Sequence, residues 1–261
     1  MTESNSLQNI KNALRQLSPI TLAELDRVAL MNRVDTKYVI SESLLPDVLT
    51  AISSDYRVLE IDGVRCAPYA TLYFDSPDAD CYRDHHNGKE RRCKFRMRSY
   101  LSSHISFFEV KQRTNKGRTI KSRVPIDEIK SALDDELLEF ADTTTGEPMP
   151  LESAIWTQFS RITLASEAAT ERVTIDVNLE FEKGDRSIEL PGVAIVEVKQ
   201  ERDSRQSPIR RALREMHVAP LRMSKYCIGS ALIDPTLKQN RFKAKLLALR
   251  NLIRNTKAAA T

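Results

Sequence analysis

Charged and apolar residues alternate along much of the chain with the period of a β-strand, whose successive side chains point to opposite faces. In KERRCKFRMRSY, residues 89–100, Arg92, Lys94, Arg96, Arg98 and Tyr100 fall on one face, and Cys93, Phe95 and Met97 on the other. SFFEVKQR sets Phe107, Glu109, Lys111 and Arg113 opposite Phe108 and Val110. After a turn at 115–117, RTIKSRVPI sets Lys121 and Arg123 opposite Ile120 and Val124. ERVTIDVNLEF alternates Arg172, Thr174, Asp176, Asn178 and Glu180 with Val173, Ile175, Val177, Leu179 and Phe181. VAIVEVKQ sets Glu197 and Lys199 against Val196 and Val198. Such strands cannot bury both faces in one oily core. Their charged faces either meet water as one side of an open sheet, or line a cavity for an anion if the strands close into a barrel. The concentration of Arg, Lys and Glu, in place of the Thr, Ser and Gln of a wetted face, favours the cavity.

Between these strands the period changes. Leu7, Ile10, Leu14 and Leu17 predict a packing helix over 5–17, ended by Ser18-Pro19. A short helix is expected over 21–31. NRVDTKYVI then reads as a strand with Arg33, Asp35 and Lys37 on one face. Residues 41–54 read as a helix with Ser41 as N-cap, and YRVLEI and YATLYFD as strands. SPDADCYRDHHNG reads as a turn and short helix, with His85 and His86 as surface residues. A helix is predicted over 126–141, a loop over 142–150, and a strand in IWTQFSRITLAS with Phe159 and Arg161 on one face. Residues 204–217 form a further helix that tolerates Pro208 in its first turn. LRMSKYCIGSALI follows as a helix presenting Arg222 and Lys225. The tail, 236–257, is a basic amphipathic helix that could touch acidic lipid or an acidic partner, with docking on the body of the protein the stronger expectation. The chain divides into a helical segment (1–26), a central domain (27–235) and the basic helix (236–261).

At 261 residues, 41% hydrophobic and 29% charged, this is a globular composition. The net charge is only +4, so the placement of charge matters more than its sum. Acidic residues interleaved on the basic faces argue against nucleic-acid binding. Cys66, Cys81, Cys93 and Cys227 are too scattered to suggest disulfides or a zinc site. No signal peptide and no apolar run of about 18 residues is present, and a cytoplasmic location is expected. Glycine is scarce, seven in all, and no Gly-rich phosphate loop appears.

The stretches RVDTKY (33–38), LYFDSP (72–77), KFRMRSY (94–100), EVKQR (109–113), RVTID (172–176), EVK (197–199) and SKY (224–226) occur in an order that resembles the VTC domain. That domain is the catalytic module of vacuolar transporter chaperone polyphosphate polymerases, in the triphosphate tunnel metalloenzyme (CYTH-like) superfamily. The resemblance implies an α+β fold: a closed eight-stranded antiparallel β-barrel with helices packed around it, binding a nucleoside triphosphate such as ATP or a polyphosphate chain. By motif, Lys37, Arg96, Arg98, Lys111, Lys121, Arg161, Arg172 and Lys225 resemble the family's tunnel cations. Arg33, Lys94, Lys199 and Arg222 join them as candidate phosphate-binding groups, and Glu197 resembles the carboxylate that holds Mn²⁺ or Mg²⁺. Asp35 stands where relatives usually carry Glu, and Phe159 where Tyr is frequent. The resemblance does not extend to the SPX domain or membrane segments of the fungal proteins, so it implies neither inositol pyrophosphate regulation nor coupled translocation.

A chain of phosphates needs many fixed cations to leave water, and arginine's planar fork and lysine's point charge supply them. The expected activity is a metal-dependent polyphosphate polymerase moving the terminal phosphoryl of ATP to a growing chain. A triphosphatase and a non-catalytic polyphosphate- or nucleotide-binding module are the alternatives. Glu109 and Asp176 serve equally well in this reading as further metal ligands or as neutralising partners, and in a hydrolase either could activate water.

Overall fold

Each alternating stretch forms a strand, and all the strands belong to one sheet. The computed structural model describes residues 5–27, 34–201 and 206–259. Its first half comprises α1 (Asn5–Leu14), β1 (Ser18–Ile20), α2 (Leu22–Arg27), β2 (Val34–Ser41), α3 (Leu45–Ala51), β3 (Arg57–Leu59), β4 (Ala67–Asp75) and α4 (Asp80–Asn87). Next come β5 (Arg92–Tyr100), β6 (Ile105–Arg113), β7 (Thr119–Ile126), α5 (Asp135–Thr145), β8 (Glu152–Ser166) and β9 (Glu171–Lys183). The chain continues with β10 (Arg186–Leu190), β11 (Val193–Gln200), α6 (Pro208–Glu215), α7 (Lys225–Ile233) and α8 (Lys243–Ala259).

The main path of the eleven-stranded sheet is β2-β11-β9-β8-β4-β5-β6-β7, antiparallel at every step. β3 adds to β8, β10 to β9, and β1 runs parallel to β3. The fold is α+β as expected, but the barrel is not closed, because β7 and β2 do not pair among the described residues. The reason lies at both edges. The outer edge of β2 is taken by the segment before α7, where the Leu221 amide donates to the Lys37 carbonyl at 2.7 Å and Tyr38 bridges to Pro220. On β7, Pro125 lacks an N–H to donate.

The outer face of the sheet is apolar and covered by helices. Tyr38, Ile40, Ile162, Leu164, Val173, Ile175, Val196 and Val198 pack with Leu14, Leu45, Leu49, Ile209 and Leu213 of α1, α3 and α6. Leu72, Phe74, Phe95, Met97, Phe108 and Val110 meet Leu137 and Ala141 of α5. In contrast, α7 packs on β8, β9 and β10 with Tyr226, Cys227, Ile228 and Ala231 buried. Gly229 is required there, since a Cβ would lie 2.3 Å from the Phe181 ring. Asp75, at the end of β4, holds this arrangement together. Its carboxylate accepts from the amides of Ser76, Cys81 and Tyr82 at 2.8, 2.8 and 2.9 Å, and from the Tyr226 hydroxyl.

Several local expectations need correction. The helix predicted over 126–141 begins only at Asp135. Ile126 ends a strand, and Asp134 supplies the N-cap, accepting from the Leu137 amide at 3.1 Å. That helix runs to Thr145, into the predicted loop, and stops at Gly146 with φ +79°. Ser41 does not cap a helix; its hydroxyl pairs with that of Ser43 at 2.8 Å, and a 3-10 turn over Glu42–Leu44 precedes α3. His86 is buried, not on the surface: its Nε2 accepts from the Arg241 amide at 3.2 Å, and its ring stacks against Tyr82. The tail helix starts at Lys243, and Leu246 and Leu249 are buried in the shared core. No described helix is long and apolar enough to cross a membrane.

One buried carboxyl lies far from the charged faces. Glu171 is fully buried and accepts from the Tyr56 hydroxyl and, at 3.0 Å, from Ser207 at the start of α6. Burial pushes its pKa from 4.5 up to about 7. The folded protein therefore holds this proton more tightly than the unfolded chain. The resulting stability is complete below about 4.5 and is lost as pH rises through about 7. Glu171→Gln is predicted to flatten the pH dependence of the urea midpoint across that window and to raise stability above it. A variant with the wild-type pH profile would contradict this.

Candidate functional site

On β5, β6 and β7 the inward residues form cross-strand rows. Lys94 faces Lys111, which faces Lys121, while Arg96 faces Glu109, which faces Arg123. Glu109 has no exposed surface. It accepts from Arg96 Nε at 2.6 Å and also pairs with Arg96 Nη2 and Lys121. Burial would push this carboxyl up, but Arg96, Arg98 and Lys121 hold it well below the usual range. Arg98 donates to Thr71 at 3.0 Å, and Lys94 to Ser224, the N-cap of α7, at 2.8 Å. Lys111 makes no hydrogen bond or ion pair among the described residues. The neighbouring Arg96 charge, then burial, press its pKa well below that of a free lysine.

The opposite wall is built from β8, β9, β11 and β2. Arg161 grips Asp176 with two hydrogen bonds, 2.6 and 2.8 Å, and Lys225 of α7 pairs with the same carboxylate. Burial presses Lys225 down to about 8 despite Asp176. Glu197 bridges Lys37 at 3.4 Å and Lys199 at 3.1 Å, and Lys199 also reaches Thr174 at 3.2 Å. Asp176 and Glu197 are both held low by these cations against the opposing effect of burial. Phe159 lies beneath the cluster, its ring centre 5.6 Å from Arg98, 5.2 Å from Arg161 and 4.5 Å from Lys225. The position where a tyrosine was frequent thus supplies an aromatic face for cations, which needs no hydroxyl. Tyr69 stacks on the same ring.

The two walls share one interior. Glu197 on β11 acts on Lys111 of β6, five steps away along the sheet, and Lys37 of β2 acts on Lys94 of β5. Nine cations (Lys37, Lys94, Arg96, Arg98, Lys111, Lys121, Arg161, Lys199 and Lys225) gather around three carboxylates. A cavity of about 20 Å³ opens beside Tyr69, Arg161 and Thr163. A larger cavity, about 640 Å³, is lined mostly by apolar residues such as Pro77, Leu138, Met149 and Pro150, with Asp142 and Glu152, and carries none of these cations.

Not every candidate joins the interior. Arg33 lies outside the described residues. Arg172 donates to the Leu25 carbonyl of α2. Arg222 is exposed, in the extended segment that leads into α7. Glu109, Asp176 and Glu197 do not converge as a metal cage, and no group of three metal-ligating side chains occurs among the described residues. Each carboxylate is instead claimed by its own cations. Glu197 keeps 18% of its side chain exposed. A hard cation held by one carboxylate and completed by substrate phosphates, the usual mode for Mg²⁺, would have to displace Lys37 or Lys199 from Glu197. Sequence reasoning missed Thr71, Tyr69 and Ser224. Alternation in YATLYFD, and a serine just before an apolar helical run, were the available signals.

These features define a class: an antiparallel α+β protein whose sheet gathers cations from many strands on one shared inner face. The VTC domain family model matches residues 32–233, and the chain belongs to that family. Curated protein sequences give no match. Among solved structures, a putative adenylate cyclase from Bacillus halodurans is similar at 11% identity, over 74% of this chain and 94% of that one, with a TM-score of 0.49. A putative adenylyl cyclase from Hippeastrum, described as having a dominant triphosphatase activity, is similar at 12% identity, over 77% and 96%, with a TM-score of 0.47.

Removing Glu109 leaves the buried Arg96 without its partner, a change that costs about 3–5 kcal/mol in comparable buried pairs, and frees the exposed Lys121. Glu109→Gln is predicted to lower the Tm of the free protein, and tripolyphosphate to raise the variant's Tm more than the wild type's. Equal shifts in both proteins would contradict the assignment.

Proposed function

We propose that the chain is a metal-dependent polyphosphate polymerase that transfers the terminal phosphoryl group of ATP to a growing polyphosphate chain. The observation that carries this reading is the surplus of interior cations drawn from strands that are not neighbours. A linear phosphate chain presents negative charge on all sides along its length, and a wrapped sheet can meet it on all sides. Arg96, Arg98, Lys111 and Lys121 would hold it from one wall, and Lys37, Arg161, Lys199 and Lys225 from the other. Bidentate arginines fix phosphate orientation, while lysines on flexible stems can yield space as the ligand enters.

The state of the carboxylates favours a polymerase over a hydrolase. Water needs a base, yet Glu109 and Asp176 are saturated by cations and held low in pKa, which makes them poor proton acceptors. A polyphosphate end is already anionic and needs none. Phosphoryl transfer then depends on alignment and charge stabilisation, which fixed guanidinium and ammonium groups provide. Mn²⁺ or Mg²⁺ held by Glu197 would offset charge on the phosphate oxygens.

Purified protein with ATP and Mn²⁺ is predicted to make long acid-labile phosphate polymer, detected by gel electrophoresis, and to stop on chelation. Release of free phosphate without polymer would establish the triphosphatase instead. Glu197→Gln is predicted to lose turnover while retaining tripolyphosphate binding by calorimetry; normal turnover in this variant would overturn the metal assignment.

A further inference from the structure

Beyond Glu109, toward the β6–β7 turn, the inner face of β5, β6 and β7 carries no carboxylate. The row of Lys94, Lys111 and Lys121 comes first, then Arg92 facing Arg113, then the turn with exposed Lys116 and Arg118. From Val110 to Ile126 the chain has six basic residues and no acidic one, and from Arg91 to Phe108 it has no acidic residue either. The approach to β5 contributes Asp84, tied to Lys89 at 2.6 Å, and the exposed Glu90. Like charges placed directly opposite one another across strands are destabilising. Here two successive rows accept that cost with counter-charge only at their margins: Glu109 pairs with Lys121, Glu109 and Glu197 act on Lys111, and Asp84 acts on Arg92. The repulsion is felt locally: the charge of Arg113 depresses the pKa of Arg92, after burial. An anion laid across both rows removes it.

The strip extends the cationic surface by four residues per strand past Glu109, roughly 13 Å at about 3.3 Å per residue. It leads outward from the interior to a tight turn, where Gly117 takes φ +74° and Lys116 and Arg118 are exposed. Neither of the two outer rows nor the turn contains an aromatic residue. A single-stranded nucleic acid would find charge there but no ring on which to stack its bases, whereas a bare phosphate chain needs none.

We propose that this strip is an external track that holds the part of a linear polyphosphate chain extending beyond the interior site, from the Lys94–Lys111–Lys121 row to the β6–β7 turn. It rests on the reading that the interior takes a phosphate chain, and it adds a second, separable contact along the same polymer. A short substrate occupies the interior only; a long one also engages Arg113, Lys116 and Arg118. The track thereby gives the protein a preference for long chains.

The test uses the full chain carrying Lys116→Ser and Arg118→Ser, and a triple variant that adds Arg113→Gln, with binding of tripolyphosphate and of long-chain polyphosphate measured by calorimetry at several salt concentrations. The two turn residues are exposed, so the double variant keeps the wild-type Tm. Wild type is expected to bind the long chain at least about tenfold more tightly per molecule than tripolyphosphate. The variants lose most of that advantage, their salt slope for the long chain falls by about one per residue removed, and tripolyphosphate affinity stays within about twofold. Unchanged long-chain affinity in the triple variant, with tripolyphosphate still bound, overturns the track alone. Failure of wild type to bind tripolyphosphate overturns the interior reading and the track with it. A single-stranded oligonucleotide of equal charge that binds as tightly as polyphosphate, and loses binding in the same variants, overturns the choice of partner.

Discussion

The structure depends on how nine cations are held together on one inner face of the sheet. Unpaired ammonium and guanidinium groups cannot be buried at tolerable cost. The solution is three carboxylates, each shared by two cations: Glu109 between Arg96 and Lys121, Asp176 between Arg161 and Lys225, Glu197 between Lys37 and Lys199. What remains is held by hydroxyls, Thr71 for Arg98 and Ser224 for Lys94, or by no polar partner among the described residues, in the case of Lys111. The folded chain is thus neutralised enough to form and cationic enough to attract an anion.

That balance places demands on the rest of the fold. The apolar outer face must be sealed by helices, because the inner face contributes little hydrophobic burial over much of its area. One helix, α7, has to span the two walls, and it does so by contributing Ser224 to Lys94 and Lys225 to Asp176. Asp75 anchors that helix through Tyr226 while accepting two amides of α4 and that of Ser76, so a residue outside the ion pairs still fixes the site's geometry.

Much of this was legible in the order of residues. A two-residue period records which side chains share a face, and Arg96, Glu109, Lys111, Asp176, Glu197 and Lys199 all face the interior as that period required. Closure of the sheet was not legible, because it depends on which partner takes the outer edge of β2, and Leu221 is remote in sequence. The start of α5 was obscured since Ile126 and Ile129 stand at helical spacing although the first ends a strand; the deciding signal was the cap at Asp134. Arg222 and Lys225 could not be told apart by spacing. Arg222 lies exposed in the segment before α7, whereas Lys225 opens the helix and pairs with Asp176. His86 looked polar and is buried because a distant backbone amide, that of Arg241, satisfies its ring.

The central claim is that cations from both walls act on one ligand. An experimental structure of the protein with tripolyphosphate tests it most directly. The account predicts phosphate oxygens within hydrogen-bond distance of Arg98 or Lys111 on one side and of Lys37, Lys199 or Lys225 on the other. A ligand bound to a single wall, or to the outer surface with the interior ion pairs undisturbed, would contradict it.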